Sequence, residues 1–211
     1  MSENSAALAL RLNALLLQAG LDPLDSALAG QFESYLALLM RWNARVNLTA
    51  IRDKEGILSR HFVESILCAR ALPSGIATLL DFGSGAGFPG IPIALCRPEI
   101  TVTLAESNGK KAAFLQETVR TLGISANIYA QRAESLTGPF DCVTLRAVDR
   151  MPHAVKAASL LVALQGWLVL MTTRAALPAL QAIAASAFTR PHLFVLHGSV
   201  DRLLALGQRI E

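Results

Sequence analysis

Cysteine is sparse in this chain of 211 residues, and its three copies, Cys68, Cys96 and Cys142, stand far apart with no C-x-x-C pair and no Cys/His cluster. That spacing argues against a disulfide framework and against a zinc site, and no metal centre is expected. Long apolar runs are also missing. The most apolar stretch, AASLLVALQGWLVLM (157–171), is interrupted by Gln165 and Gly166 and falls short of the roughly 20 residues of a membrane span. A core helix followed by a buried strand is expected there. The N-terminal MSENSAALALRLNALLLQAG lacks a basic leader and a cleavage site and carries Glu3 and Arg11, so it does not read as a signal peptide and a cytoplasmic protein is expected. There is no internal repeat and no low-complexity linker.

What is present is aliphatic. Hydrophobic residues make up 53%, mainly Ala and Leu, which suits helices packed on a buried sheet. The net charge of +3 permits a polyanionic partner without demanding one. Its distribution is uneven: residues 41–70 hold Arg41, Arg45, Arg52, Lys54, Arg60, Arg70 and His61 against Asp53, Glu55 and Glu64. A solvated helix face and a polyanion contact both fit that pattern.

The first seventy residues read as helical. Helices are expected over 5–19, ended by Gly20 and Pro23, over 25–44, where Phe32, Tyr35, Leu36, Leu39 and Trp42 share a face, and over 60–72, with 46–56 as a connection. From residue 78 the pattern alternates: strands at 78–83, 101–106, 126–131, 140–148 and 166–173 interleave with helices at 91–97, 109–123, 152–163 and 176–186. HLFVLHG and DRLLALGQ are expected to close the chain as a strand hairpin. The alternation calls for an α/β fold with a mainly parallel sheet covered on both faces. The division expected is a helical extension over 1–73 and a core over 74–211.

The stretch DFGSGAGFPG (81–90) has two registers. Gly85, Gly87 and Gly90 fit the dinucleotide pattern G-x-G-x-x-G. Asp81, Gly83, Gly85 and Gly87 give D-x-G-x-G-x-G, a loop for an adenosine cofactor without phosphate. Glu106, at the end of the next strand, can accept ribose hydroxyls in either case. Asp81, placed at the mouth of the loop, would repel a pyrophosphate and attract the ammonium and sulfonium groups of S-adenosylmethionine. Further along, Glu134 with the Ala133 backbone can meet an adenine, or complement a helix terminus, and Arg146 at the end of the fourth strand stands beside the expected reaction centre.

Together these residues carry a resemblance. RWNARVNLTAIRD (41–53), RHFVESI (60–66), DFGSGAGFPGIPIAL (81–95), ESNGKKAAFL (106–115), RAESL (132–136) and LRAV (145–148) resemble the bacterial small-subunit ribosomal RNA guanine-N7 methyltransferases of type G, also called glucose-inhibited division protein B. The resemblance implies a Rossmann-like methyltransferase fold with a seven-stranded sheet, methyl transfer from S-adenosylmethionine to N7 of one guanine, and small-subunit ribosomal RNA or an assembling ribosomal subunit as partner. It implies cofactor contacts at Gly83, Phe88, Ala133, Glu134 and Arg146, beside Asp81, Gly85 and Glu106. Arg60, His61, Lys110 and Arg132 are expected to meet RNA, toward phosphate more than base. No acid or base is required, because N7 carries a free lone pair, and Arg146 is expected to orient the guanine. Two substitutions depart from the family's habit without loss of role, Glu106 for Asp and Phe88 for Leu. A third, LMTTR (170–174) in place of A-L-K-G, removes a lysine near Thr172 and leaves Arg174 as the nearest cation. A monomer with no membrane contact is expected. A methyltransferase of small molecules or proteins, an NAD-dependent oxidoreductase and a non-catalytic RNA-binding module are the alternatives.

Overall fold

A computed structural model describes residues 3–211; the first two residues of the expected N-terminal extension lie outside it. Three helical stretches come first. α1 (Glu3–Gln18) ends before Gly20, and α2 (Ser26–Asn43) is capped by Asp25, whose side chain accepts from the Leu28 amide. Phe32, Tyr35, Leu36 and Leu39 are buried on one face of α2, as the three- and four-residue spacing requires.

The third helical stretch begins earlier than the sequence pattern suggests. Asp53 accepts from the Gly56 amide and starts α3 (Lys54–Ile57) inside the segment expected to be a connection. The chain then widens into a π-helical segment, Leu58–Val63, and tightens again into α4 (Glu64–Ala71).

The sheet follows. Its strands are β1 (Thr78–Phe82), β2 (Thr101–Ala105), β3 (Ala126–Tyr129), β4 (Phe140–Arg146), β5 (Val162–Thr173), β6 (His192–Val195) and β7 (Arg202–Gln208), in the order β3-β2-β1-β4-β5-β7-β6. β1 to β5 run parallel, and β7 lies antiparallel between β5 and β6, forming the expected terminal hairpin. The crossover helices are α5 (Gly90–Cys96), α6 (Gly109–Leu122), α7 (Met151–Leu161) and α8 (Leu177–Ala184). β5 starts at Val162, inside the segment expected to be helix, because the β4–β5 register slips between Phe140 and Cys142 and absorbs residues 163–166. No helix among the described residues is long and apolar enough to cross a membrane.

Two apolar layers hold the sheet. Leu79 faces a cluster with α5, α6 and all the N-terminal helices, while Leu80 and Phe82 face a second cluster with α7 and α8. Side-chain alternation along β1 therefore turns Asp81 toward the α5 side, into the protein. The N-terminal helices share one continuous core with the sheet, through Leu16, Phe32, Tyr35, Phe62 and Ile66.

The loop between β1 and α5 packs against this helical layer. At Gly87, φ is +91°, and a Cβ would stand 2.4 Å from Ile91 Cδ1 and 2.8 Å from the Tyr35 hydroxyl. Gly87→Ala is therefore expected to cost about 2–3 kcal/mol, seen as a drop in Tm of about 5–10 °C. An unchanged melting curve would contradict this packing.

Candidate active site

A cavity of about 450 Å³ opens where β1, β2, β3 and β4 end. Its floor is the loop from Phe82 to Ala86 with Phe88. On the β2 and β3 side it is walled by Glu106, Ser107, Lys111 and the turn Gln131–Glu134, and on the β4 side by Arg146 to Asp149. Leu48, Thr49 and His61 close the second side from the N-terminal helices. Gly83, Gly85, Phe88, Glu106, Ala133, Glu134, Arg132, His61 and Arg146, all expected at the site, do line one cavity; Lys110 and Arg174 are exposed outside it.

Asp81 does not sit at the mouth. It is 1% exposed, one Oδ accepting from the Gly90 amide at 3.1 Å and the other from the Thr144 hydroxyl at 2.8 Å. The β1–β4 register sets Thr144 directly beside it. Burial pushes the Asp81 carboxyl up to about 6, against the pull of these hydrogen bonds. Strand alternation turns Asp81 inward, and its buried position also discriminates between the two loop registers. The first amide of α5, where a pyrophosphate would settle in a dinucleotide fold, is taken by an internal carboxylate.

Glu106 is nearly buried and fixed from two sides. It accepts from the Gly85 amide at 3.0 Å and the Asn108 amide at 2.7 Å. Each oxygen keeps further lone-pair capacity, which suits a carboxylate meant to accept hydroxyl groups. Glu134, in the short turn Ala133–Ser135, is exposed on the cavity wall, while Ala133 is buried.

At the β4 end, Arg146 reaches back into the N-terminal helices. It donates to the Arg60 carbonyl at 2.6 Å and to Glu64 Oε2 at 2.9 Å. Glu64 is 1% exposed and also accepts from Arg202 Nε at 2.7 Å. Burial lowers the Arg146 pKa, opposed by the Glu64 charge. The π-helical turn presents the Arg60 carbonyl here, so that residue serves the site through its backbone while its side chain is exposed.

From the sequence His61 is a candidate RNA contact, set toward phosphate more than base. It instead stands in the wall, stacked on Phe88 with ring centroids 4.6 Å apart and Nε2 2.8 Å from the Thr49 hydroxyl. Burial, aided by the Arg146 and Arg60 charges, pushes its pKa down to about 3. A neutral imidazole of this kind packs and orients. It does not hold a phosphate by charge.

Sequence reasoning passed over Glu64, Thr49, Lys111 and Arg202. Glu64 had a signal, an acidic residue within the apolar helix HFVESIL; Arg202, 138 residues away from it, had none.

The sequence profile of the family described as rRNA small subunit methyltransferase G matches residues 29–195, a span that contains every residue lining the cavity. The chain belongs to this family. A protein of Xanthomonas euvesicatoria pv. vesicatoria (strain 85-10) named Ribosomal RNA small subunit methyltransferase G is 42% identical over 175 residues, covering 77% of this chain and 81% of that protein. One of the same name from Stenotrophomonas maltophilia (strain K279a) is 43% identical over 153 residues, covering 68% and 71%. Among solved structures, a ribosomal protein L11 methylase from Lactobacillus delbrueckii subsp. bulgaricus superposes with a TM-score of 0.61 at 12% identity, over 72% of this chain and 79% of its own. A predicted O-methyltransferase, Atu636 of Agrobacterium tumefaciens, gives 0.60 at 17% identity over 69% and 80%. At such identities these two likenesses show the Rossmann-like methyltransferase fold alone.

Two outcomes test this family member's buried charges. Glu64→Ala leaves the Arg146 and Arg202 guanidiniums together without their anion, and should cost about 3–5 kcal/mol, about 10 °C or more in Tm. A loss below about 1 kcal/mol in chemical denaturation would show the pair to be solvated. For Asp81, the folded-state value of about 6 lies above its ordinary 3.8. Its favourable share of stability is complete below 3.8 and lost as pH rises through 6. Stability relative to Asp81→Asn should therefore grow as pH falls through that window. Parallel curves for the two proteins would refute the assignment.

Proposed function

We propose that this chain transfers a methyl group from S-adenosylmethionine to N7 of a guanine in small-subunit ribosomal RNA. The observation that carries the reading is a cavity with two chemically different ends in a chain of the type G family. A fixed carboxylate, Glu106, stands at the β2 end, and a clamped guanidinium, Arg146, at the β4 end. The residues present fit the cofactor. Glu106 has acceptor capacity for both ribose hydroxyls, Ala133 and Glu134 offer a backbone and a carboxylate to an adenine, and Gly83 and Gly85 put no side chain into the floor. The volume is that of a small-molecule site.

When bound, S-adenosylmethionine supplies a methyl group on a positively charged sulfur. The remaining work belongs to this chain. Guanine N7 attacks with its own lone pair, the nitrogen–carbon bond forming as the sulfur–carbon bond breaks, and no proton leaves in that step. No general base is needed; His61 in the wall is neutral, with Nε2 at the Thr49 hydroxyl and its ring on Phe88. The protein contributes alignment of the two reactants and exclusion of water. Arg146 orients the guanine at O6. Because N7 lies in the deep, narrow groove of A-form RNA, the target base must be unpaired or turned out of its helix when it reacts.

Methyl transfer to naked rRNA, to intact small subunits and to a metabolite panel decides between this reading and a methyltransferase of other substrates. Mass mapping of rRNA from a deletion strain is the direct check, and the reading fails if no methylguanine disappears. Glu106→Ala should weaken S-adenosylmethionine binding about 10- to 100-fold by calorimetry, the loss of about 1.5–3 kcal/mol typical of hydrogen bonds to a charge. Unchanged affinity would remove Glu106 from the cofactor site.

A further inference from the structure

The basic segment between α2 and α3 has no role in the cavity chemistry above, although two of its residues wall the cavity. Leu48 and Thr49 also border an outer hollow of about 390 Å³ formed with Asn47, Ala50 and Arg52. The loop is held in shape from inside. Buried Asn43 accepts from the Leu48 amide at 2.9 Å and the Thr49 amide at 3.0 Å, and Thr49 accepts from the Ile51 amide at 3.2 Å.

Its charges differ from those that are paired on the surface. Arg11, Arg41 and Arg97 each pair with a glutamate. The Arg45 side chain is exposed and has no hydrogen-bond or ion-pair partner among the described residues, and the Arg52 side chain meets only the neutral Asn47 side chain at 3.0 Å. The nearby acids are engaged elsewhere, Asp53 at the start of α3 and Glu55 with Arg11. The Arg60 side chain is exposed too, and its charge acts on His61 in the cavity wall.

Direction comes from the sheet. With the adenosine placed at Glu106 and Glu134, at the β2 and β3 ends, the rest of the cavity lies toward β4, Thr49 and His61. The 44–53 loop borders that end through Leu48 and Thr49, whereas Lys110 and Arg132 stand at the β2 and β3 end. We propose that the 44–53 loop is the landing surface for the RNA strand that carries the target guanine, with Arg45 and Arg52 holding its phosphates. This rests on the reading of the site as an RNA guanine methyltransferase. Charge complementarity and continuity with the cavity through Leu48 and Thr49 support it. Phosphate contacts of this kind fix register without reading sequence.

The test measures binding of an unmodified small-subunit rRNA transcript, and of unmodified small subunits, as a function of salt. Arg45→Gln with Arg52→Gln should raise Kd about tenfold or more and reduce the slope of log Kd against log salt by about two. S-adenosylmethionine affinity should stay unchanged, which also certifies the fold. Lys110→Gln with Arg132→Gln should have the smaller effect. Unchanged RNA binding in the Arg45/Arg52 variant, or a larger loss in the Lys110/Arg132 variant, overturns the proposal, as does wild-type protein that binds neither RNA nor subunits. Wild-type protein that binds the transcript but forms no N7-methylguanine instead overturns the functional reading, and the binding series still scores the surface.

Discussion

A single carboxylate, buried between two guanidiniums, joins the three parts of this chain. Glu64 belongs to the N-terminal helices, Arg146 ends the central strand β4, and Arg202 opens the terminal strand β7. Removing an anion from water costs several kcal/mol, and only well-placed opposite charges and hydrogen bonds return it. Once Glu64 is inside, both arginines must be where they are. The helical layer is thereby fixed against the sheet at the point where the cavity opens. The π-helical turn just before Glu64 belongs to the same arrangement, since it presents the Arg60 carbonyl to Arg146 and turns His61 into the wall. π-Helical turns of this kind occur often at functional sites, and here the reason is visible.

The glycine loop depends on a second buried acid. Asp81 holds the first amide of α5 and the Thr144 hydroxyl, so the loop's shape is referred to β4 as well as to its own strand. Glu106 takes the Gly85 amide from the other side and refers it to β2. Three neighbouring strands thus agree on the position of one loop. A floor built in this way needs no ligand to form it, which is the condition for aligning two reactants without paying conformational entropy at the moment of reaction.

Much of this was legible in the sequence, and the failures have physical causes. Strand–helix alternation and the final hairpin follow from local pattern, and the parallel sheet follows from them. The D-x-G-x-G-x-G register was the right one, yet the reason first attached to it was misplaced. Strand alternation along TLLDF carries Asp81 inward with Leu79, so it excludes a pyrophosphate by occupying the helix terminus and not by facing the cavity. His61 misled for a related reason. Next to Arg60 in a basic segment it reads as a surface cation, but one residue's turn of the helix separates an exposed side chain from a buried one. The contact between Glu64 and Arg202 spans 138 positions and leaves no local trace.

The charge balance of the cavity gives these buried groups a common sense. In transfer to guanine N7, positive charge leaves the sulfur and appears on the purine, so the wall nearest the base must not accumulate cations. In the proposed reading Arg146 donates to a guanine oxygen at that wall, and it brings a full charge with it. Glu64, shared with Arg202, offsets part of that charge at 2.9 Å, in surroundings where burial strengthens the interaction. His61, in the same wall, is held neutral by burial and by the same arginine. A protonated imidazole there would oppose the charge forming on the base, and fixed charges near a reacting centre act most strongly where water is excluded. The desolvation that makes His61 useless as a phosphate contact is what makes it tolerable as a neighbour of the reacting base.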